Sequence, residues 1–125
     1  MESSRLNKPK HVYKITTSTP PDPIPAVYPP SELDQTDGFI HLSTAAQGCT
    51  EPVPKTADMF FSHVLQLWVV KIQLDKLTEH RIHWEGNGCV HLYGNFGAQG
   101  VVAVEKCVRQ GESWSDCLQD ATWLI

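Results

Sequence analysis

The 125-residue sequence has few charges, and neither sign is concentrated in one place. Charged residues make up 19% of the chain, the formal net charge is −4 with histidine neutral, and no run of Lys and Arg occurs. A nucleic-acid partner would require a positive surface that displaces counterions from phosphates. We therefore expect neither DNA nor RNA as a main partner.

Long apolar runs and closely paired cysteines are also missing. The longest apolar runs hold about four residues, as in Leu67–Val70, whereas a membrane-spanning helix needs about 20. The polar residues 1–10 lack an apolar signal core and predict a flexible N-terminal tail. The four cysteines form no C-x-x-C pair. We expect reduced thiols in a cytoplasmic protein that does not bind membranes.

Proline is absent from the second half of the chain. All nine prolines lie between Pro9 and Pro54. Because proline lacks an N–H and fixes φ, the first part is expected to be rich in loops, with a Pro-rich loop over 18–30. Most strand pairing then belongs to the second part. The length fits a single domain over 11–125.

Short strands and short helices follow one another without a repeating order, which predicts an α+β fold. Alternating apolar residues predict strands at Val12–Thr17, Phe39–Ser43, Gln66–Leu74, Arg81–Glu85, Cys89–Tyr93 and Val101–Arg109. Helical segments are predicted at Ser31–Asp34, with Ser31 as N-cap, at Thr44–Gly48 and at Lys55–Ser62. Residues 113–123 have helical spacing and a capping box, and predict an amphipathic C-terminal helix.

Three predicted strands each carry a histidine on a polar face, since successive side chains of a strand point to opposite faces. The polar sets are His41 with Ser43, His83 with Arg81 and Glu85, and His91 with Tyr93; the opposite faces hold Ile40 and Leu42, Ile82 and Trp84, and Val90 and Leu92. A solvated face of a half-buried sheet would show the same alternation. Histidine also serves as general acid, general base or ligand near neutral pH, so a shared functional cleft is an equally good interpretation.

A metal site is the less favoured interpretation of these residues. His41, His83, His91 and Glu85 would offer a three-His or a two-His-one-carboxylate set. No H-E-x-x-H or comparable local spacing supports it, and we expect no metal. Phosphate-binding loops are absent, and Ser43 is not part of a G-x-S-x-G elbow.

The same residues resemble the signatures of a known family. Residues 31–34 (SELD), 37–45 (DGFIHLSTA) and Gln47 resemble the first signature of the DUF952 family, and Trp84-Glu85 and 91–94 (HLYG) resemble the second and third. Residues 12–15 fit as well, so the likeness covers about 11–109, and the Pro-rich insert is similar to fungal members. Val90 stands where members usually carry proline, and the predicted helix 113–123 extends beyond the usual family end.

The resemblance implies an ADP-ribosyltransferase-like fold, with two small, split, mostly antiparallel sheets around a cleft and short peripheral helices. By that likeness His41 would contact the ribose of NAD and Tyr93 would flank nicotinamide. Glu85 would be the catalytic acid, ahead of Glu105. Likeness of fold does not by itself establish the activity.

Three functional hypotheses follow. The first is a cofactor-independent acid–base enzyme acting on a small, aromatic organic metabolite by isomerisation, cyclisation or hydration. The second is NAD-dependent ADP-ribosyl transfer, and the third is a small-molecule binding module without catalysis. The candidate catalytic residues are His41, Glu85, His91 and His83, and the candidate substrate-binding residues are Ser43, Tyr93, Arg81 and Tyr13.

The charge pattern ranks the first hypothesis above the second. A pyrophosphate is bound by Arg or Lys or by a glycine-rich helix N-terminus. Near the expected cleft the sequence offers only Arg81 and Lys14. We therefore expect a small, largely uncharged substrate and a protein that is a monomer or a homodimer.

Overall fold

The structure is a computed structural model in which residues 10–44, 53–77, 81–84, 90–109, 113–114, 118 and 121–123 are described. The elements in chain order are β1 (His11–Thr16), α1 (Glu32–Asp37), β2 (Ile40–Leu42), α2 (Val53–Phe60), β3 (Gln66–Gln73), a 3-10 helix (Leu74–Lys76), β4 (Ile82–Trp84), β5 (Val90–Leu92) and β6 (Val101–Val108). The expected α+β class is therefore correct, and the described strands fall where alternation predicted them.

These strands form two antiparallel sheets of three strands each. Sheet 1 has the order β1-β3-β6 and sheet 2 the order β2-β5-β4. A bridge between Tyr13 and Ser43 joins them, because the two residues exchange backbone hydrogen bonds of 2.7 and 2.8 Å. The end of β2 is thereby fixed to the first strand of the neighbouring sheet.

The main core is shared by the two sheets. Sheet 1 contributes Val12, Val70 and Ile72, and sheet 2 contributes Ile40, Leu42, Val90 and Leu92. Each of these side chains is nearly or fully buried. Burial of a Val, Leu or Ile side chain is worth about 1.5–3 kcal/mol, so the apolar face of sheet 2 is held firmly against sheet 1.

A second apolar cluster covers the other face of sheet 1. It contains Tyr13, Ile15, Leu67 and Val69 from the strands, Val53 and Ala57 from α2, and Trp114 and Leu118 from near the C-terminus. The Trp114 indole N–H donates to the carbonyl of Phe61 at 2.9 Å, and Lys71 Nζ donates to the carbonyl of Trp123 at 2.9 Å. Within the helix predicted over 113–123, residues 115–117 and 119–120 lie outside the described residues.

Helix α1 begins where the sequence predicted but is longer than the single turn expected at Ser31–Asp34. The Ser31 hydroxyl accepts from the Asp34 N–H at 3.1 Å, and the Asp34 carboxylate accepts from the Ser31 N–H at 3.3 Å. This capping box fixes the first turn. The helix ends at Asp37, because Gly38 adopts φ 82° and ends it in the left-handed region.

The Pro-rich loop is attached to the loop that precedes β6. Tyr28 donates its N–H to the carbonyl of Phe96 at 2.7 Å, and their rings stack with centroids 4.7 Å apart. Ala98 donates its N–H to the carbonyl of Pro25 at 2.9 Å. Tyr28 and Phe96 both belong to the main core, so this loop is part of the packed structure.

One expectation for β4 is wrong. Alternation placed Trp84 on an apolar face, but its side chain is 36% exposed and Ile82 is only half-buried. The reason is the position of β4 at the edge of sheet 2 opposite β2, which is the edge bridged to sheet 1. The predicted tail 1–10, apart from residue 10, and residues 45–48 of the predicted Thr44–Gly48 helix lie outside the described residues. Within the described residues, no helix is both long and apolar enough to cross a membrane.

Close contact between the two loops yields a stability prediction at Gly97. A Cβ on Gly97 would overlap the backbone carbonyl of Ala26, which cannot rotate away as a side chain could. Gly97→Ala should therefore destabilise the fold by about 1–3 kcal/mol, the usual cost of overpacking. Gly94→Ala is the matched control, because a Cβ there meets Arg81 side-chain atoms at an ordinary 3.6 Å. Urea unfolding of both variants tests this, and equal stability would contradict the loop contact.

Candidate functional site

The three histidines singled out from the sequence lie in one row across sheet 2. Cα pairing sets His41 of β2 opposite His91 of β5, and His91 opposite His83 of β4. The strand neighbours of His41 and His91 belong to the main core, and Ile82, next to His83, packs against it. The row therefore lies on the face of sheet 2 that is turned away from the core.

Phe39 connects the aromatic side chains on this face. Its ring stacks on His91 with centroids 4.1 Å apart at 22°. It also lies 4.6 Å from the His41 ring and 5.1 Å from the Tyr93 ring. Tyr93 in turn meets His83 edge-on at 4.7 Å. Phe39 is half-buried and Tyr93 is 39% exposed, so aromatic surface is accessible on this face.

A buried carboxylate supports one end of the row. Asp34 Oδ1 lies 2.8 Å from His41 Nδ1 and accepts the His41 backbone N–H at 3.1 Å. Asp34 Oδ2 accepts from Lys14 Nζ at 2.6 Å. The side chain of Asp34 is 1% exposed and that of Lys14 is 7% exposed. The His41 ring is therefore held by the Asp34 carboxylate, which also accepts hydrogen bonds from Lys14 and from the His41 backbone.

The charge state of Asp34 follows from these contacts. Burial alone would raise the pKa of its carboxyl, but the hydrogen bonds from His41 and Lys14 and the charge of Lys14 outweigh burial and hold the pKa well below its usual range. Asp34 is thus ionised at neutral pH. An ionised carboxylate only accepts hydrogen bonds, so Nδ1 of His41 carries a hydrogen and donates it to Asp34.

The other ring nitrogen of His41 faces a second carboxylate. Nε2 lies 2.9 Å from Asp37 Oδ2, on the last residue of α1. Asp37 is 39% exposed and the His41 side chain 33% exposed. A hydrogen bond across this contact requires one hydrogen, carried either by Nε2 or by Oδ2. One imidazole thus has a buried partner on Nδ1 and an accessible partner on Nε2.

Arg81 and Tyr93 lie at the opposite end of the row. Tyr93 donates its N–H to the Arg81 carbonyl at 2.7 Å, and Arg81 Nη1 donates to the Tyr93 carbonyl at 3.1 Å. The side chain of Arg81 thus supports the β4–β5 edge. Glu85, the predicted catalytic acid, lies outside the described residues.

Two predicted substrate-binding residues are not brought to the exposed face. Tyr13 is fully buried and packs in the second apolar cluster, on the other face of sheet 1. Ser43 is also buried, and its backbone forms the bridge to β1. Glu105, the weaker acid candidate, is on β6 of sheet 1 opposite Val69. Sequence alternation fixes the face within one strand but not the sheet to which that strand belongs.

Sequence reasoning missed three members of the site: Asp34, Asp37 and Phe39. A signal for the first was present, because Ser31 and Asp34 have capping-box spacing. Asp37 and His41 are four residues apart across a helix end, where spacing alone does not specify a contact. Among the described residues, no group of three His, Cys, Asp or Glu side chains has an arrangement that could hold a metal ion.

Comparison with family models identifies the class of this protein. The model for "Protein of unknown function (DUF952)" matches residues 23–104, which is more than half of the chain. The chain therefore belongs to the DUF952 family. The match is narrower than the 11–109 expected from the motifs, but it contains Asp34, His41 and His91. No curated protein matched the sequence.

Solved structures show the same fold. The chain is similar to the crystal structure of protein CC0527 from Caulobacter crescentus, with 25% sequence identity, a TM-score of 0.66, and coverage of 82% of this chain and 90% of that one. A double mutant of the same protein gives 24% identity and a TM-score of 0.65 with the same coverage.

The buried position of Asp34 yields a stability prediction. Asp34→Asn removes the negative charge opposite Lys14 and leaves that ammonium buried without a counter-charge. Breaking a buried ion pair from one side costs about 3–5 kcal/mol, and we expect a loss of that size in the free energy of unfolding measured with urea. Asp37→Asn is the control, because an exposed pair contributes about 0–1 kcal/mol. Equal losses of stability in the two variants would contradict the stabilising role of the buried Asp34–Lys14 ion pair.

The lowered pKa of Asp34 also predicts how stability depends on pH. The folded-state pKa lies below the unfolded value of about 3.9. The stabilisation is therefore complete above the unfolded pKa and is lost as pH falls toward the folded pKa. The difference in unfolding free energy between wild type and Asp34→Asn should shrink on acidification from about pH 6 to about pH 3. If the difference stays constant over that interval, the pKa of Asp34 is not lowered by folding.

Proposed function

We propose that the protein is an acid–base enzyme that needs no cofactor and acts on a small, largely uncharged organic molecule. The observation that carries this proposal is the 2.8 Å contact between the buried Asp34 carboxylate and His41 Nδ1. A carboxylate that orients an imidazole and fixes its tautomer prepares the other ring nitrogen for proton transfer. Asp34 is then a positioning residue, and His41 is the catalytic residue.

The surroundings of His41 support an aromatic substrate. Phe39, His91 and Tyr93 present flat π surfaces beside the imidazole, with ring centroids 4.1 Å and 5.1 Å from Phe39. Aromatic rings prefer offset-stacked or edge-on partners at about 4.5–7 Å. A planar ring stacked on this surface would place a polar substituent near His41 Nε2.

The reaction class follows from what these groups can do. Positioned proton transfer contributes about 10²–10⁴-fold to a rate, which suits reactions that are feasible without a strong electrophile. Isomerisation, cyclisation and hydration meet this condition, because each moves protons between atoms of the substrate or water. His91 and His83 extend the row of imidazoles along the face where such a substrate would lie.

The alternative implied by the resemblance is NAD-dependent ADP-ribosyl transfer on an ADP-ribosyltransferase-like fold. Two contacts weigh against it. Lys14 is buried and paired with Asp34 at 2.6 Å, and Arg81 Nη1 donates to the Tyr93 carbonyl. Both cations that the sequence offered for a pyrophosphate therefore have structural partners. An uncharged substrate therefore suits this face of sheet 2 better than NAD does.

Two probe reactions test the proposal on purified protein. The first is proton removal from 5-nitrobenzisoxazole, an uncharged planar ring whose opening requires only a base. The second is exchange of the α-hydrogens of phenylacetone in deuterated water. Wild type should accelerate both, and His41→Gln should lower kcat about 10²–10⁴-fold for each. Asp34→Glu should retain more activity than Asp34→Asn, since only the former keeps a carboxylate near Nδ1.

Exposed His63 lies outside the site, between α2 and β3, and His63→Ala should leave both rates unchanged. Unfolding curves must show that His41→Gln is folded. If folded His41→Gln matches wild type with both probes, the acid–base proposal is wrong and a binding module without catalysis becomes the better description. Saturable NAD binding in calorimetry would instead favour the ADP-ribosyl alternative.

A further inference from the structure

We infer that Asp37 and His41 act as one two-atom proton-transfer unit that catalyses a 1,3-prototropic shift, such as enolisation of an aryl-substituted carbonyl compound. The inference rests on the proposed function and adds to it a second catalytic residue and a substrate class. Its geometric basis is the 2.9 Å contact between His41 Nε2 and Asp37 Oδ2 on the accessible side of the ring.

Proton counting shows why these two atoms form a unit. Nδ1 donates its hydrogen to the ionised Asp34, so it takes no part in exchange with a ligand. The hydrogen bond between Nε2 and Oδ2 contains one proton. One of the two atoms is therefore a donor and the other a vacant acceptor, whichever of them carries the proton at rest. General-acid and general-base capacity thus lie side by side.

The spacing of the two atoms fits a three-atom substrate unit. In a group H–C–C=O, the hydrogen-bearing carbon and the oxygen are about 2.4 Å apart by ordinary bond lengths. Two protein atoms 2.9 Å apart can therefore face both substrate atoms from one side. A single imidazole nitrogen would have to move between them, whereas this pair would not.

The proposed step is balanced in protons and electrons. The vacant atom of the pair takes the proton from the α-carbon, and the C–H electron pair forms the C=C bond. The C=O π electrons take the proton from the other atom of the pair, giving an enol. The proton has then changed places within the pair, and transfer across the 2.9 Å contact restores the starting state. No oxidant, reductant or co-reactant is required.

The position of Asp37 allows a substrate to reach the pair. It is the last residue of α1, followed by Gly38 in the left-handed region, and its side chain is 39% exposed. Asp34, on the same helix, is buried and fixes the imidazole from the other side. The Asp37 carboxylate can therefore turn toward a ligand while His41 stays in place. Phe39 lies next to His41 at 4.6 Å and would stack on the aryl group.

The two probe reactions distinguish a two-atom unit from a single base. Ring opening of 5-nitrobenzisoxazole requires only proton removal, which His41 Nε2 can perform without Asp37. Enolisation of phenylacetone uses both atoms. Asp37→Asn should therefore lower the rate of phenylacetone exchange by about 10²-fold or more, while it changes the benzisoxazole rate by less than about tenfold. Asp37→Glu should restore part of the exchange rate.

Asp75→Asn is the charge-matched control, because Asp75 is exposed on the 3-10 helix that follows β3. It should leave both rates unchanged. If Asp37→Asn lowers neither rate, or lowers both equally, the two-atom unit is overturned while the proposed function stands on the loss in His41→Gln. If folded His41→Gln loses neither activity, the proposed function fails, and the unit fails with it.

Discussion

The carboxylate of Asp34 is the constraint on which the rest of the site depends. A buried charge must be paired and hydrogen-bonded, and Asp34 meets this requirement with partners from three parts of the chain. Ser31 closes the cap of α1, Lys14 extends from β1 in sheet 1, and His41 donates from β2 in sheet 2. One side chain thus fixes a helix start, a contact between sheets and the orientation of an imidazole. The proposed catalytic geometry forms only when the fold does.

Alternation of side chains along its strands gives sheet 2 a face with the histidines and an opposite, mainly apolar face. Each of its strands has three residues with histidine in the middle: Ile40–Leu42, Ile82–Trp84 and Val90–Leu92. Antiparallel pairing in register aligns the middle residues, so the imidazoles form a row, and the neighbours of His41 and His91 lie in the main core. A shift of one residue in any pairing would exchange the two faces. The buried aliphatic residues therefore also hold the histidines in position.

His41 has two carboxylate partners of opposite character. Asp34 is buried and held by several donors, so it can stabilise the imidazole but cannot leave it. Asp37 is exposed at the end of a helix, so it can exchange its contact with Nε2 for a contact with a ligand. A rigid partner on one nitrogen and an accessible partner on the other give an oriented base whose reactive side stays open.

The sequence by itself determined the local features of this protein. Alternation located the strands and the polar face of each histidine, Ser31 marked the start of a helix, and the DGFIHLS stretch indicated the family. Only the tertiary structure decided which strands are neighbours and in what register. It placed Tyr13 in the opposite cluster, and it assigned Lys14, expected as a cation for a ligand, to Asp34. It also revealed Asp34, Asp37 and Phe39 as partners of the histidines. Periodicity reports which way a side chain points within its own element, whereas such contacts join residues whose distance depends on how the whole chain packs.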